Sequence, residues 1–183
     1  MSKLRRPFLS DRYFFIAACL LKRRERLTEP GFALLARAFN RAPALHPFYL
    51  TAWVFLPDHW HSICAPLHPT TISLAMKSVA RTAVFAVRGS SFEKSADHRS
   101  GGPRYPRWQP RFFDRALRTV KEYNEKVEYI HLNPVRAGLA SRPEDWRWSS
   151  YSEYAGISAE ERKKRCGLIV DRVRIPSDPR ARI

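Results

Sequence analysis

From Phe48 to Ala65 the chain leaves little choice but a β-hairpin. Phe48 to Leu56 is a run of aromatic and β-branched residues, which favours a strand. Pro57-Asp58 follows as a tight turn, and His59 to Ala65 returns in extended form. Side chains alternate along a strand, so His59 and His61 share one face while Trp60 points into the buried one. Two imidazoles side by side on a rigid strand can chelate one divalent metal. The same pattern also suits two ordinary histidines on a half-exposed strand. The spacing alone leaves both readings open.

A second stretch runs Val127-Glu128-Tyr129-Ile130-His131-Leu132-Asn133-Pro134-Val135-Arg136-Ala137-Gly138-Leu139. Val120, Tyr123, Val127 and Ile130 recur at spacings of three and four, the apolar face of a helix. Tyr129 lies off that face, in line with Glu122, Lys126 and Asn133. Tyr129 and Asn133 are four apart and meet on the helix surface. Pro134 disfavours helical geometry at Asn133, so the helix is expected to end there. A tyrosine near solvent beside an amide ligand suits a nucleophile; it also suits a ring packed at the edge of a core.

Together the two stretches resemble a known family. A His-hydrophobic-His strand followed by a helix with Tyr-x-x-x-Asn/Gln is similar to the HUH single-tyrosine transposases, the insertion-sequence-200-like group. Within that group, three blocks look most like the REP-associated tyrosine transposases. They are Leu56-Pro57-Asp58-His59-Trp60-His61, Tyr129 to Leu139, and Trp146-Arg147-Trp148-Ser149-Ser150-Tyr151. The resemblance runs from about Asp11 to Tyr154. Trp60 is bulkier than the small aliphatic residue usual at the middle position, and Asp58 stands where asparagine is common. Neither position supplies a metal ligand.

The resemblance implies an enzyme: a metal-dependent single-stranded DNA endonuclease and transposase. It implies that Tyr129 attacks a phosphate to give a 5′-phosphotyrosine and a free 3′-OH. A tyrosine hydroxyl ordinarily has a pKa of about 10 and is a poor nucleophile at neutral pH. A metal on His59, His61 and Asn133 would polarise and orient the phosphate. Imidazole and amide-oxygen ligands with open positions suit Mg²⁺ or Mn²⁺. Lys126 and His131 are acid/base or supporting candidates, His131 alternatively a surface residue. The expected substrate is single-stranded DNA with a hairpin of the REP palindrome kind.

Charge agrees with such a partner. The 183 residues carry a net charge of +16, an excess that calls for a polyanion. At 44% hydrophobic and 13% aromatic the chain is globular, and one domain is expected. No run of eighteen apolar residues exists to span a bilayer, and no secretory signal is visible. The three cysteines, Cys19, Cys64 and Cys166, have no zinc spacing and suggest buried thiols in a reducing cytoplasm. The expected location is cytoplasmic, with the nucleoid.

Along the chain, residues 1–10 read as a loose basic tail, 11–154 as the catalytic domain and 155–183 as a basic extension whose tail, Pro176 to Ile183, is expected to be weakly ordered and to contact DNA if anything. Tyr13 to Leu21 is a strand, followed by a charged loop from Lys22 to Arg26. Thr28 starts a helix carrying Phe32, Leu35, Ala36 and Phe39. Thr70 or Thr71 caps another, with Ile72, Met76, Val79, Ala80 and Ala83 inward. Gly89 to Pro106 has the composition of a mobile loop. Arg104 to Arg115 interleaves arginines with aromatics; guanidinium groups hold phosphate while rings stack on bases. A final strand with its aromatics in the core is the other reading. DNA contacts are expected from Arg104, Arg107, Arg111, Arg115, Arg136, Trp146 and Arg147, although Trp146 equally suits packing onto the domain.

Strand-helix-strand-strand-helix-strand is a ferredoxin-like (RRM-like) α+β arrangement, an antiparallel sheet with helices on one face. The resemblance implies the same fold, with the Tyr129 helix added after it; REP-associated relatives imply a monomer as the working unit, and insertion-sequence relatives a dimer with exchanged tyrosine helices. Two other functions fit parts of the pattern: a non-catalytic RNA- or DNA-binding module of this fold, and a replication-initiator or relaxase-type HUH nuclease.

Overall fold

A computed structural model of the chain describes residues 12–20, 26–89, 108–109, 111–156, 158, 160 and 167–183. The basic N-terminal tail, Lys22 to Glu25, Arg104 and Arg107 lie outside the described residues. So do the loop expected over 89–106, apart from Gly89, and most of 157–166. In chain order the elements are β1 (Phe14–Cys19), α1 (Glu29–Arg41), β2 (Phe48–Phe55), β3 (His59–Pro66), α2 (Ile72–Gly89), β4 (Phe113–Ala116), α3 (Val120–Arg136) and α4 (Tyr151–Tyr154). The four strands form one antiparallel sheet in the order β2-β3-β1-β4. The expected α+β class is the observed one.

Strand alternation gives the sheet two apolar faces, and each is covered. On one, Phe14, Ile16, Trp53, Phe55 and Trp60 meet Phe32, Leu35 and Phe39 of α1 and Met76 and Val79 of α2. Trp60 meets Phe39 edge-on at 5.2 Å. On the other, Phe15, Ala52, Val54, Leu56 and Ile63 meet Tyr123, Val127 and Ile130 of α3. Helices α1 and α2 thus share a face, and the added helix takes the opposite one. A register shift between Leu50 and Ala52 lets Leu50 and Trp53 face the same way. One extra residue in a strand reverses parity beyond it. The Tyr154 hydroxyl donates to the Thr51 carbonyl at that irregularity.

The helix ends follow local chemistry. Thr71, not Thr70, caps α2: its Oγ1 accepts from Leu74 N at 3.2 Å. Ala75 takes the inward place expected of Ala80, which is exposed. Thr119 caps α3 by accepting from Glu122 N at 3.2 Å. That helix does not stop at Asn133 but runs through Pro134 to Arg136. Proline lacks only its own N–H, so one turn can still close beyond it. The stop comes from Gly138 at φ 68°, where Gly138 N bonds Val135 O at 3.0 Å and Leu139 N bonds Pro134 O at 2.9 Å. These two bonds are a Schellman motif.

The chain after α3 covers the outer edge of β2. Phe55 N bonds Trp148 O at 2.9 Å, and Ser150 N bonds Trp53 O at 2.9 Å. Further along the same edge, Asp171 exchanges bonds with the Leu50 backbone at 2.7 and 2.8 Å. A bare strand edge would leave those groups unpaired. The extension is thus bound, in its described part, to the domain, and so is the tail expected to be weakly ordered. Its last residues also occupy the first donors of α3, with Val120 N to Ala181 O at 3.1 Å and Lys121 N to Pro179 O at 2.9 Å. Of the cysteines expected to be buried, Cys64 is and Cys19 is exposed; Cys166 lies outside the described residues. Among the described residues, no helix is long and apolar enough to cross a membrane.

Candidate active site between the sheet and the third helix

The turn that presents the histidines is held from outside. Leu27 N bonds Pro57 O at 2.6 Å and Leu20 N bonds Asp58 O at 2.8 Å. From this turn β3 starts with His59 and His61 on the face that α3 covers. Their ring centres are 4.9 Å apart. His59 is only partly covered, its side chain 25% exposed. Its Nδ1 donates to the Asp58 carboxylate at 2.7 Å, because a carboxylate only accepts. In the neutral ring the lone pair then sits on Nε2. Arg26 sits 3.3 Å from the other Asp58 oxygen. Burial pushes the Asp58 pKa up, but the His59 hydrogen bond and the charges of His59 and Arg26 outweigh it, and the net direction is down.

His61 is buried, and among the described residues neither of its ring nitrogens finds a hydrogen-bond partner. Burial, then the neighbouring His59 and Lys126, drive its pKa down to about 3. The Ile16 backbone opposes that fall without meeting hydrogen-bond geometry. A buried imidazole with two orphaned nitrogens is costly. Its neutral ring is also the form that binds a metal.

Register decides what surrounds it. Ala17 of β1 lies opposite His61, so Phe15 falls on the same face. The Phe15 ring stacks on His61 at 5.3 Å and meets Tyr129 edge-on at 5.8 Å. Tyr129 itself comes within 5.3 Å of His61, centre to centre. The tyrosine is half-buried, and its hydroxyl has no partner among the described residues. Two cations flank its ring, Lys126 Nζ at 5.2 Å and Arg136 Cζ at 5.5 Å. Positive charge thus collects beside an open hydroxyl, where a phosphate would gain most from it.

Asn133 is buried one turn beyond Tyr129 on α3. Among the described residues, no three His, Cys, Asp or Glu side chains gather to hold a metal. A third protein ligand would have to be of another kind, and Asn133 meets that requirement in type. The orphaned His61 nitrogens and the free Nε2 of His59 suit the group that the resemblance implies.

His131 belongs elsewhere. Two residues from Tyr129 on a helix, it points the other way, neither on the surface nor toward the tyrosine. Its Nε2 lies 2.9 Å from Ser150 Oγ, and its ring packs on Tyr151 and Tyr154. Ser150 gives its one proton to the Trp53 carbonyl and accepts from Trp53 N and His131. Burial lowers the His131 pKa to about 4. Here the histidine locks α3 to the segment that covers β2.

The Trp146 block serves the same purpose. Trp146 donates its indole N–H to Phe55 O at 2.9 Å and packs edge-on against Phe32. Trp148 is buried and donates to Glu29. Arg147 lies over Trp148 and pairs with Glu29 at 3.7 Å. These contacts tie both residues to the fold, with Trp146 half-buried and Arg147 still exposed. Arg111, Arg115 and Arg136 are exposed; Arg115 also pairs with Glu122 at 3.4 Å. Asp58 and Phe15 were not expected at the site. An acid directly before a histidine in a turn signals the first. Nothing local signals the second, because strand register brings it there.

An antiparallel α+β domain with a histidine pair facing a tyrosine helix is the class that fold and site define. No family model matches the chain. A REP-associated tyrosine transposase of Escherichia coli K12 is 30% identical over 151 residues, 82% of this chain and 83% of that protein. A relative in Haemophilus influenzae, provisionally described in the same words, is 26% identical over 155 residues, 82% and 86% of the two chains. A solved structure of a REP-associated tyrosine transposase bound to a REP hairpin is similar with a TM-score of 0.69. At 26% identity, that likeness covers 100% of this chain and 99% of the other. The chain belongs to the REP-associated tyrosine transposases, a family of enzymes.

Proposed function

We propose that this chain cleaves and rejoins single-stranded DNA at a REP-type hairpin through a covalent bond to Tyr129. The observation that carries the reading is the approach of Tyr129 to His61 within one chain, 5.3 Å between ring centres, with Lys126 and Arg136 on the tyrosine. The Tyr129 oxygen attacks phosphorus, the bond from phosphorus to the 3′ oxygen breaks, and that oxygen leaves as a hydroxyl. The phenol proton passes to solvent, and the leaving oxygen takes a proton from solvent in its place. Attack by a 3′-hydroxyl reverses the step, so the ester is conserved and no nucleotide is consumed. Lys126 and Arg136 hold the phosphate against the ring. His59, His61 and Asn133 would hold a divalent cation, Mg²⁺ or Mn²⁺. Such an ion, when bound, polarises the phosphate oxygens. Asp58 keeps His59 in the tautomer that presents Nε2. Arg111 and Arg115 contact the strand, and with +16 net charge the polyanion is drawn in from a distance. In cells this places the protein with the nucleoid.

Tyr129→Phe removes only the hydroxyl. We expect it to bind a hairpin oligonucleotide as the parent does and to form no covalent adduct on a denaturing gel. An adduct persisting in that variant sinks the assignment. Mixing Tyr129→Phe with His59→Ala chains should not restore cleavage, because one chain builds the whole site; rescue would mean that the tyrosine helix is exchanged between subunits.

A further inference from the structure

Phe113 is poorly placed for a residue that serves packing. It is 60% exposed on the sheet face that carries His59 and His61. Register fixes its position: Phe113 lies opposite Ala17, and Ala17 lies opposite His61. The ring pairs with Phe15 in a T-shaped contact, 6.4 Å between centres. Phe15 in turn touches His61 and Tyr129. The neighbouring Phe112 packs against the α1 and α2 core instead. With the half-buried Phe112 packed on that core just before β4 begins, the core draws no further aromatic from Phe113. Arg115 shares the face of Phe113, opposite Phe15, and Arg111 precedes it; both arginines are exposed.

We infer that Phe113 is a stacking platform for one unpaired nucleobase of the DNA strand that passes the Tyr129 site. This rests on the function proposed above and names the residue that grips the strand beside the site. The occupant follows from chemistry. An exposed ring with one arginine two residues before it and another two residues after it matches a base with its phosphates on either side. A duplex keeps its bases stacked on each other and offers no free face, so the platform selects single-stranded DNA. Phe15 supports the ring from within the sheet, which keeps it upright at little entropic cost.

The test is fluorescence anisotropy on a hairpin with unpaired flanks and on the same hairpin cut blunt. Phe113→Ala should bind the flanked hairpin about tenfold more weakly, the usual scale for one base on one ring, and the blunt hairpin unchanged. Phe113→Trp should bind as the parent does, and Phe113→Leu as poorly as alanine. Replacing flank nucleotides one at a time by abasic sites should reveal one position that removes the difference between parent and Phe113→Ala. Equal loss on the blunt hairpin, recovery with leucine, or no such position would each overturn the inference. Circular dichroism confirms that the variants fold. The readout is binding alone, so it stands apart from adduct formation: failure of Tyr129 to attach covalently would count against the function and leave this result legible.

Discussion

Two histidines of β3, His59 and His61, and one of α3, His131, have different fates, set by what touches each ring. His59 is oriented by Asp58 and keeps one nitrogen free. Asp58→Ala should therefore cost roughly 10- to 100-fold in Mn²⁺ affinity by titration calorimetry, the usual cost of removing a carboxylate that orients a ligating imidazole. Hairpin binding should persist. Unchanged Mn²⁺ affinity would mean that the Asp58 contact only shapes the turn. His61 and His131 are both buried and held neutral, with pKa values lowered to about 3 and about 4. Below pH 6.5 the unfolded chain takes up protons at both sites while the folded chain does not. Their stability is therefore complete above pH 6.5 and is lost as pH falls toward those lower values. For His131 alone the drop from 6.5 to about 4 corresponds to up to about 3 kcal/mol. Urea melts at pH 7 and pH 4.5 should show the parent losing clearly more than His131→Gln does. Parallel losses would mean that His131 does not titrate with folding.

Helix α3 is the element on which chemistry and stability meet. Its stripe of Glu122, Lys126, Tyr129 and Asn133 was legible because positions three and four apart must share a face. Its end was not read correctly. Pro134 looked like the stop, but the bonds of Gly138 and Leu139 close one more turn past it. Gly138 has φ 68° and nothing within 4 Å of where a side chain would start. Gly138→Ala thus meets no clash, only the backbone cost of a left-handed residue, about 1 kcal/mol. A shift of that size in the urea midpoint, with adduct formation kept, is the expected outcome. A much larger loss would mean that the turn after α3 carries packing as well. Arg136 sits in the added turn and reaches the Tyr129 ring. Ending the helix at Asn133 would have removed that contact.

At the scale of the molecule, net charge and architecture point to the same partner. Helices α1 and α2 cover one face of the sheet, α3 covers much of the other, and the strip of β1 and β4 beside it bears Phe113 and Arg115. If Arg104, Arg107, Arg111, Arg115 and Arg136 each hold one phosphate, log K should fall against log salt with a slope of about −3.5. Each arginine changed to alanine should make the slope shallower by about 0.7. A flat response would assign the +16 charge to something other than phosphate.

What the sequence determined by itself was everything that a period of 2 or 3.6 can encode. The hairpin, the shared face of His59 and His61, the inward Trp60 and the polar stripe of α3 all follow from side chains that repeat along one element. The order of the elements followed too, since each has its own apolar pattern and its own cap. Only the tertiary structure decided which surfaces meet. Phe15 reaches His61 because β1 pairs with β3 in one register, and no residue near Phe15 encodes that. The Trp146 to Tyr151 block covers the edge of β2, a duty that exists only once β2 is outermost. His131 looked like a surface or acid/base residue because its partner, Ser150, is nineteen positions away. Local periodicity fixes the direction of a side chain from its own backbone. The identity of what it then touches is set by chain packing across long separations, where a single extra residue in β2 reverses every face beyond it.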